Sequence, residues 1–291
     1  MEQVKVPPVA LRFLAVAQQD LAAAQCLYDN RCYPQAVFYL EQSVEKGLKS
    51  FALCLGIITE EEAHHRIGHR TMNIYIKTTD QFKQRVDAIH SDPKLERMFE
   101  GIVDVPRLSD QMDRALKFIR DASQETPHIL SNTDKRLRNY LTGLKKIHRD
   151  YENLQTIIQQ LSISESEFRE FKKIWLGMIG RYMEDRPEEF EKFKQAVEKQ
   201  LKREDLEKIT KESLTVLIPP IFIYTSFLYL SRLLASHVQL RYPNADFDPL
   251  EFYTPQMPLI RKFPQLRDYS AVTLQALEQL YAPLQLGEAA S

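Results

Sequence analysis

The sequence predicts an all-α fold, and three observations carry that prediction. Apolar residues recur every three or four positions through most of the chain, whereas few segments alternate with the two-residue period of a strand. Only 8 of the 291 residues are glycine, too few for a turn-rich β protein. Hydrophobic residues make up 44% of the chain, enough to build a proper core in one large or two ordinary domains.

The first helix is expected over about residues 9–30, where Leu14, Ala17, Leu21, Ala24 and Tyr28 share a face. Residues 30–33 make a tight connection, and Pro34 suits a first helical turn, where a missing N–H is no loss. The second helix follows over about 34–55. Its apolar side carries Val37, Leu40, Val44, Leu48, Phe51 and Leu55, and Gly56 is placed to cap its end. So short a link makes the pair an antiparallel hairpin. A polar line, Gln42, Glu45 and Lys49, also runs along the second helix at helical spacing. It either lines a groove between helices or is a solvated face with a Glu45–Lys49 ion pair, contributing about 0.2–0.5 kcal/mol. Thr59 and Glu62 have capping spacing, and a third helix is expected to begin in the His64–Arg70 cluster and run to about 78.

Residues 80–215 read as long helices. Leu137, Tyr140, Leu144, Ile147, Tyr151, Leu154, Ile158 and Leu161 form a sustained heptad seam, preceded by N-cap residues at 131–134. Ser164 and Glu167 make a capping box for a further helix with Phe168, Phe171, Trp175, Met178 and Tyr182 on one side. The two are expected to pair as an antiparallel hairpin. Pro187 breaks the second, and Phe190, Phe193, Val197 and Leu201 mark another, highly charged helix. Leu214 to Ser231 carries no charge and is long enough to suggest a membrane span. Pro219-Pro220 lies inside it, however, and reads as the start of a buried central helix over 219–241, so no membrane partner is expected. Five prolines between 243 and 264 argue against regular structure there, and a last helix is expected over about 266–282.

Bulk charge narrows the function. The net charge is −1, from 39 basic and 40 acidic residues, so no global field draws in nucleic acid. Any RNA contact must come from a local patch. Cys26, Cys32 and Cys54 are few, odd in number and outside any CxxC motif, and the N-terminus lacks the apolar stretch of a secretory signal. Reduced thiols and a cytoplasmic location are expected. No Gly-rich phosphate loop, nucleophile elbow or paired-cysteine motif appears, and no cofactor is expected.

Several strings of residues carry a resemblance. Ala17, Asp20 and Leu21 form an Ala-x-x-Asp-Leu motif. Tyr33, Ala36, Tyr39, Gln42, Val44, Glu45, Lys46, Leu48 and Lys49 form a longer one on the second helix. Gly68-His69 and Arg241-Tyr242-Pro243 follow. Together they resemble the HEPN domain (the higher eukaryotes and prokaryotes nucleotide-binding domain), well over residues 8–78 and loosely over 219–282. The resemblance implies an up-and-down bundle made of residues 1–79 and 216–291, with residues 80–215 inserted as a helical-hairpin arm. It further implies a homodimer that binds or acts on RNA or a nucleotide, in the manner of defence and toxin–antitoxin systems.

RNA-cleaving members of that family are implied to carry an arginine and a histidine separated by four to six residues. Arg232 and His237 fit that spacing. In the implied metal-independent chemistry the histidine moves the proton of a ribose 2′-hydroxyl. The arginine stabilises the phosphorane, and a 2′,3′-cyclic phosphate results. Leu233 stands where the family usually has a polar residue. Five positions on one helix diverge by roughly 140°, so the pair converges only through a kink or across two subunits. The other reading is a boundary arginine and a satisfied histidine. Arg66, His69 and Arg70 sit at an expected helix start, where free N–H groups favour an anion. With Gln42, Glu45, Lys49 and Arg241 they complete the candidate nucleotide or RNA site. His65 and His69 have the spacing of two metal ligands but no third partner at a fixed spacing, so no metal is expected. The alternative to an RNA-directed protein is a dimeric scaffold that recruits a partner chain through residues 130–183.

Overall fold

The computed structural model describes residues 6–66, 71–100, 104–124, 134–234, 243 and 247–286. Those residues are mostly helical, and no strand runs among them. Two compact units form. The first comprises Met1–Tyr75, Ala122–Leu154 and Val216–Ser291, and the second comprises Ile76–Asp121 and Gln155–Thr215.

In the first unit, α1 (Pro8–Asp29) and α2 (Tyr33–Cys54) form the expected antiparallel hairpin. Pro34 lies in the first turn of α2, and Gly56 follows its end at φ 65°, the left-handed conformation that glycine tolerates best. Thr59 and Glu62 cap each other as their spacing suggests, the Thr59 N–H donating to Glu62 Oε2 at 2.9 Å. A single π-helical turn, Glu62–Arg66, follows, and α3 (Met72–Ser91) starts later and runs further than the sequence reading had it.

The third member of the core is α11 (Pro258–Leu286), which packs on both α1 and α2. It begins eight residues before the expected start and passes through Pro264. A proline in a helix orphans the carbonyl four residues back. That carbonyl is Ile260 O, and the Tyr28 hydroxyl donates to it at 3.1 Å while the Tyr28 ring stacks on Phe263 at 4.5 Å. The lost ladder bond is thus replaced from α1. Ser50 ties the three helices together, donating to Ala10 O at 2.6 Å and meeting the Tyr281 hydroxyl at 2.9 Å.

Helix α9 (Arg203–Leu234) runs straight through Pro219 and Pro220. The expected start at 219 is therefore corrected: helix-forming residues precede the pair, and the N–H groups of 219 and 220 are simply absent from the ladder. The C-terminal part of α9 lies in the first unit, with Ile223, Phe227, Leu230 and Leu234 fully buried. An added Cβ on Gly47 of α2 would sit 2.7 Å from Phe227 and 2.8 Å from Leu274, so glycine is what lets these helices approach.

The heptad seam on α6 (Asp134–Gln160) finds a different partner from the one its spacing suggested. Residues up to Leu154 group with the first unit and face α9. Tyr151 stacks on Phe222 at 4.0 Å, and His148 Nε2 lies 3.2 Å from the Ser226 hydroxyl. Burial holds the His148 imidazole down at about 4, so it packs as a neutral ring.

In the second unit α4 (Pro93–Phe99) packs on α7 (Glu165–Tyr182), and exposed ion pairs, Lys94–Asp185 at 2.7 Å and Arg97–Glu184 at 3.0 Å, join it to the turn that follows α7. Ser164 and Glu167 form the expected capping box of α7. α8 (Pro187–Gln200) begins at the expected proline and packs on α7 through Trp175 and Phe193, 5.5 Å apart. α5 (Val105–Gln124) is joined to α3 by Ser109, which donates to Asp87 at 2.7 Å.

Candidate functional site

Helix α2 supplies a buried polar network. Its apolar positions face the core, but its other sides are covered as well: Glu41, Gln42, Glu45 and Lys49 are only 3%, 8%, 4% and 6% exposed. Packing of α1 explains one side, because Ala10, Ala17 and Ala24 are small and let the two helices come close. The Gln42–Glu45–Lys49 line is therefore no solvated face. Lys49 Nζ donates to Glu45 Oε1 at 2.7 Å, and Gln42 Nε2 donates to Glu41 Oε2 at 2.8 Å and Glu45 Oε2 at 3.4 Å. Lys46 Nζ donates to Gln42 Oε1 at 3.2 Å and pairs with Asp20 of α1.

The electrostatics follow from burial. Desolvation, with the charge of Glu45 adding to it, pushes the Glu41 carboxyl up to about 8. At neutral pH a proton on Glu41 leaves two carboxylates, Asp20 and Glu45, against two ammonium groups, Lys46 and Lys49. The cluster is then charge-balanced, as a buried polar cluster must be to avoid a large desolvation cost. A carboxyl titrating near neutrality is chemically a proton donor and acceptor, but here it lies under protein.

At one end the network approaches the histidine-rich segment. Lys49 Nζ lies 6.0 Å from the centre of the Phe13 ring, on whose other contacts His64 stands at 5.6 Å. His64 and His65 are exposed. Of the sequence-derived anion site, Arg66 ends the π-helical turn, with its side chain outside the described residues, and His69 and Arg70 lie outside them altogether. Arg232 occupies the last turn of α9, half-buried between the buried Ser231 and Leu233. His237 and Arg241 lie outside the described residues. The structure therefore brings Gln42, Glu45 and Lys49 together, and it places Arg232 at the end of the helix after which His237 follows in sequence. Among the described residues, no three His, Cys, Asp or Glu side chains converge on a metal position.

Sequence reasoning missed Glu41. Its signal was available: Glu41 stands four residues before Glu45, hence on the same side of the helix. Asp20 and Lys46 were read as motif residues, without the ion pair that joins them.

Comparison with known proteins adds to this geometry. The family model for the HEPN domain matches residues 10–122. A protein of Methanocaldococcus jannaschii named "Putative toxin MJ1304" is 25% identical over 143 residues, a stretch covering 46% of this chain and 91% of that protein. No solved structure matches the chain. The all-α architecture, the α1–α2 motifs and the family match agree on a likeness to the HEPN domain over residues 10–122.

Proposed function

We propose that this HEPN-like chain binds or acts on RNA, and that Arg232 and His237 are its reactive pair. The observation that carries the reading is the position of Arg232. It projects from the final turn of a helix whose neighbouring residues are buried, so its backbone is held firmly while its side chain remains partly accessible. His237 follows five residues later in sequence, outside the described residues. The histidine takes the 2′-hydroxyl proton, the arginine balances charge on the phosphorane, and the chain is cut with a 2′,3′-cyclic phosphate end. The name of the archaeal relative supports a toxin-type role.

The test is direct. Purified protein is incubated with mixed RNA in EDTA. The expected result is cleavage that His237→Ala and Arg232→Ala each abolish. Absence of cleavage by the wild type, or cleavage that survives both substitutions, would refute the assignment.

A second reading keeps a specific observation on its side. Phe171 and Ile174 of α7 are 40% and 47% exposed and lie three residues apart. Such an apolar strip on the surface suits recruitment of a partner chain through residues 130–183. A scaffold of this kind binds its partner equally well after His237→Ala.

A further inference from the structure

We propose that Cys26 and Cys32 form a reversible dithiol, which a hydroperoxide oxidises to a disulfide across the turn between α1 and α2. The proposal goes beyond RNA chemistry and stands whether or not the chain cleaves RNA. The end of α1 sets the geometry. The Cys32 N–H donates to Leu27 O at 2.8 Å and the Arg31 N–H to Tyr28 O at 2.9 Å, with Arg31 itself at φ 61°. One such bond enclosing the other, over a left-handed residue, is the Schellman ending of a helix. Arg31 holds that conformation although its Cβ disfavours it. The residue that returns in such an ending is directed at side chains of the last helical turn. In this chain the returning residue is Cys32, and Cys26 occupies one of the two positions it is directed at. A single residue touches both sulfurs. Asn30 Nδ2 lies 3.8 Å from Cys26 Sγ, and Cys32 Sγ donates to Asn30 O at 3.7 Å.

Access and helix polarity divide the roles. Cys26 and Cys32 are exposed, whereas Cys54 is buried. Burial pushes the Cys54 thiol up to about 11, so it stays protonated and inert. Cys32 stands at the start of α2 and Cys26 in the last turn of α1. The positive end of a helix dipole favours a negative sulfur, so Cys32 is the attacking thiolate and Cys26 the resolving one. The Cys32 sulfur attacks the outer oxygen of the hydroperoxide. The O–O bond breaks, an alcohol leaves (water, from hydrogen peroxide), and a sulfenic acid remains on Cys32. The Cys26 thiolate then attacks that sulfur and expels hydroxide, which takes a proton and leaves as water. In sum, two thiols give up two hydrogens and one hydroperoxide is reduced. A dithiol reductant reverses the bond by exchange. Closure within one turn outruns pairing between chains, because the second sulfur is already at hand.

Peptide mapping of the full chain tests this. The reduced protein is treated with equimolar hydrogen peroxide, and remaining thiols are then blocked with N-ethylmaleimide. Trypsin cuts after Arg12, Arg31 and Lys46, so Cys26 and Cys32 fall in separate peptides, residues 13–31 and 32–46. The oxidised protein is expected to yield these two as one linked species that dithiothreitol separates, with Cys54 carrying the maleimide. Cys26→Ser and Cys32→Ser should each abolish the link and leave the melting temperature of the reduced protein nearly unchanged, because both positions are exposed. In Cys26→Ser the Cys32 sulfenic acid has no resolving partner, so dimedone should trap it at Cys32. The disulfide should also raise the melting temperature by several degrees, reversibly, because it constrains the unfolded chain. Unlinked peptides after peroxide overturn the proposal, as does a link through Cys54 or between two chains. A melting temperature that falls on oxidation also overturns it, because the native turn would then hold the sulfurs apart.

Discussion

Helices α2 and α9 invert what their compositions suggest. α2 carries two acidic and two basic residues on adjacent turns, yet Glu45 and Lys49 are 4% and 6% exposed. α9 carries an uncharged stretch from Leu214 to Ser231, yet Val216, Leu217 and Ile221 lie open. The difference is one of position, not of sequence character. α2 has α1 on one side and α11 on another, so its polar groups are satisfied by one another. α9 joins the core only by its C-terminal part, so its middle keeps an uncovered side. Polar residues inside a core must be paired to be tolerated, and apolar residues outside one need a reason to be there.

The largest effect that would break this contrast is at Lys49. Replacing it with alanine leaves Glu45 buried without its ammonium partner. A loss of about 3 kcal/mol or more is expected in urea unfolding followed by circular dichroism. If α2 were a solvated face, the same change would cost only about 0.2–0.5 kcal/mol. Gly47→Ala comes next. Its new methyl group would meet Phe227 and Leu274 at 2.7 and 2.8 Å, and a loss of about 1–3 kcal/mol is expected in the same assay.

A pH series sharpens the contrast further. The Glu41 carboxyl is raised from 4.5 to about 8 in the folded chain, so the folded state holds a proton that the unfolded state releases. The stability this proton supplies is complete below pH 4.5 and is lost as pH rises through about 8. Within that window the slope reaches about 1.4 kcal/mol per pH unit at most. Glu41→Gln should remove this component and leave the variant more stable than the wild type at pH 8. An unchanged slope would mean that Glu41 is already ionised in the folded state. The smallest effect belongs to the second unit. Lys94→Ala breaks an exposed pair with Asp185, and a change of under about 1 kcal/mol is expected.

These cases also mark what was legible in the sequence. α1 and α2 were found to within about a residue at each end, because Pro34 fixes φ at a helix start and Gly56 permits the left-handed turn that ends one, both local effects. The capping boxes at Thr59 and Ser164 were equally local and equally readable. Periodicity located the polar line on α2 but could not say what covers it, because cover comes from residues distant in sequence. The same limit explains α6, where the heptad spacing was real and its partner was Phe222 rather than α7. Pro219-Pro220 misled in the opposite direction: a strong local start signal was overridden by the helical residues on both sides. Arg232 was legible as a spacing, and it lies in the last described turn of α9.

Competitive amine acylation with mass-spectrometric readout tests the inversion most directly. Lys145 and Lys146 on α6 are exposed, and Lys49 on α2 is 6% exposed and donates to Glu45. In the native protein Lys49 should label at least about a hundredfold more slowly than Lys145 and Lys146, because reaction must await an opening of the fold. Labelling of Lys49 at the rate of those two lysines would contradict the buried network and return the α2 line to the surface.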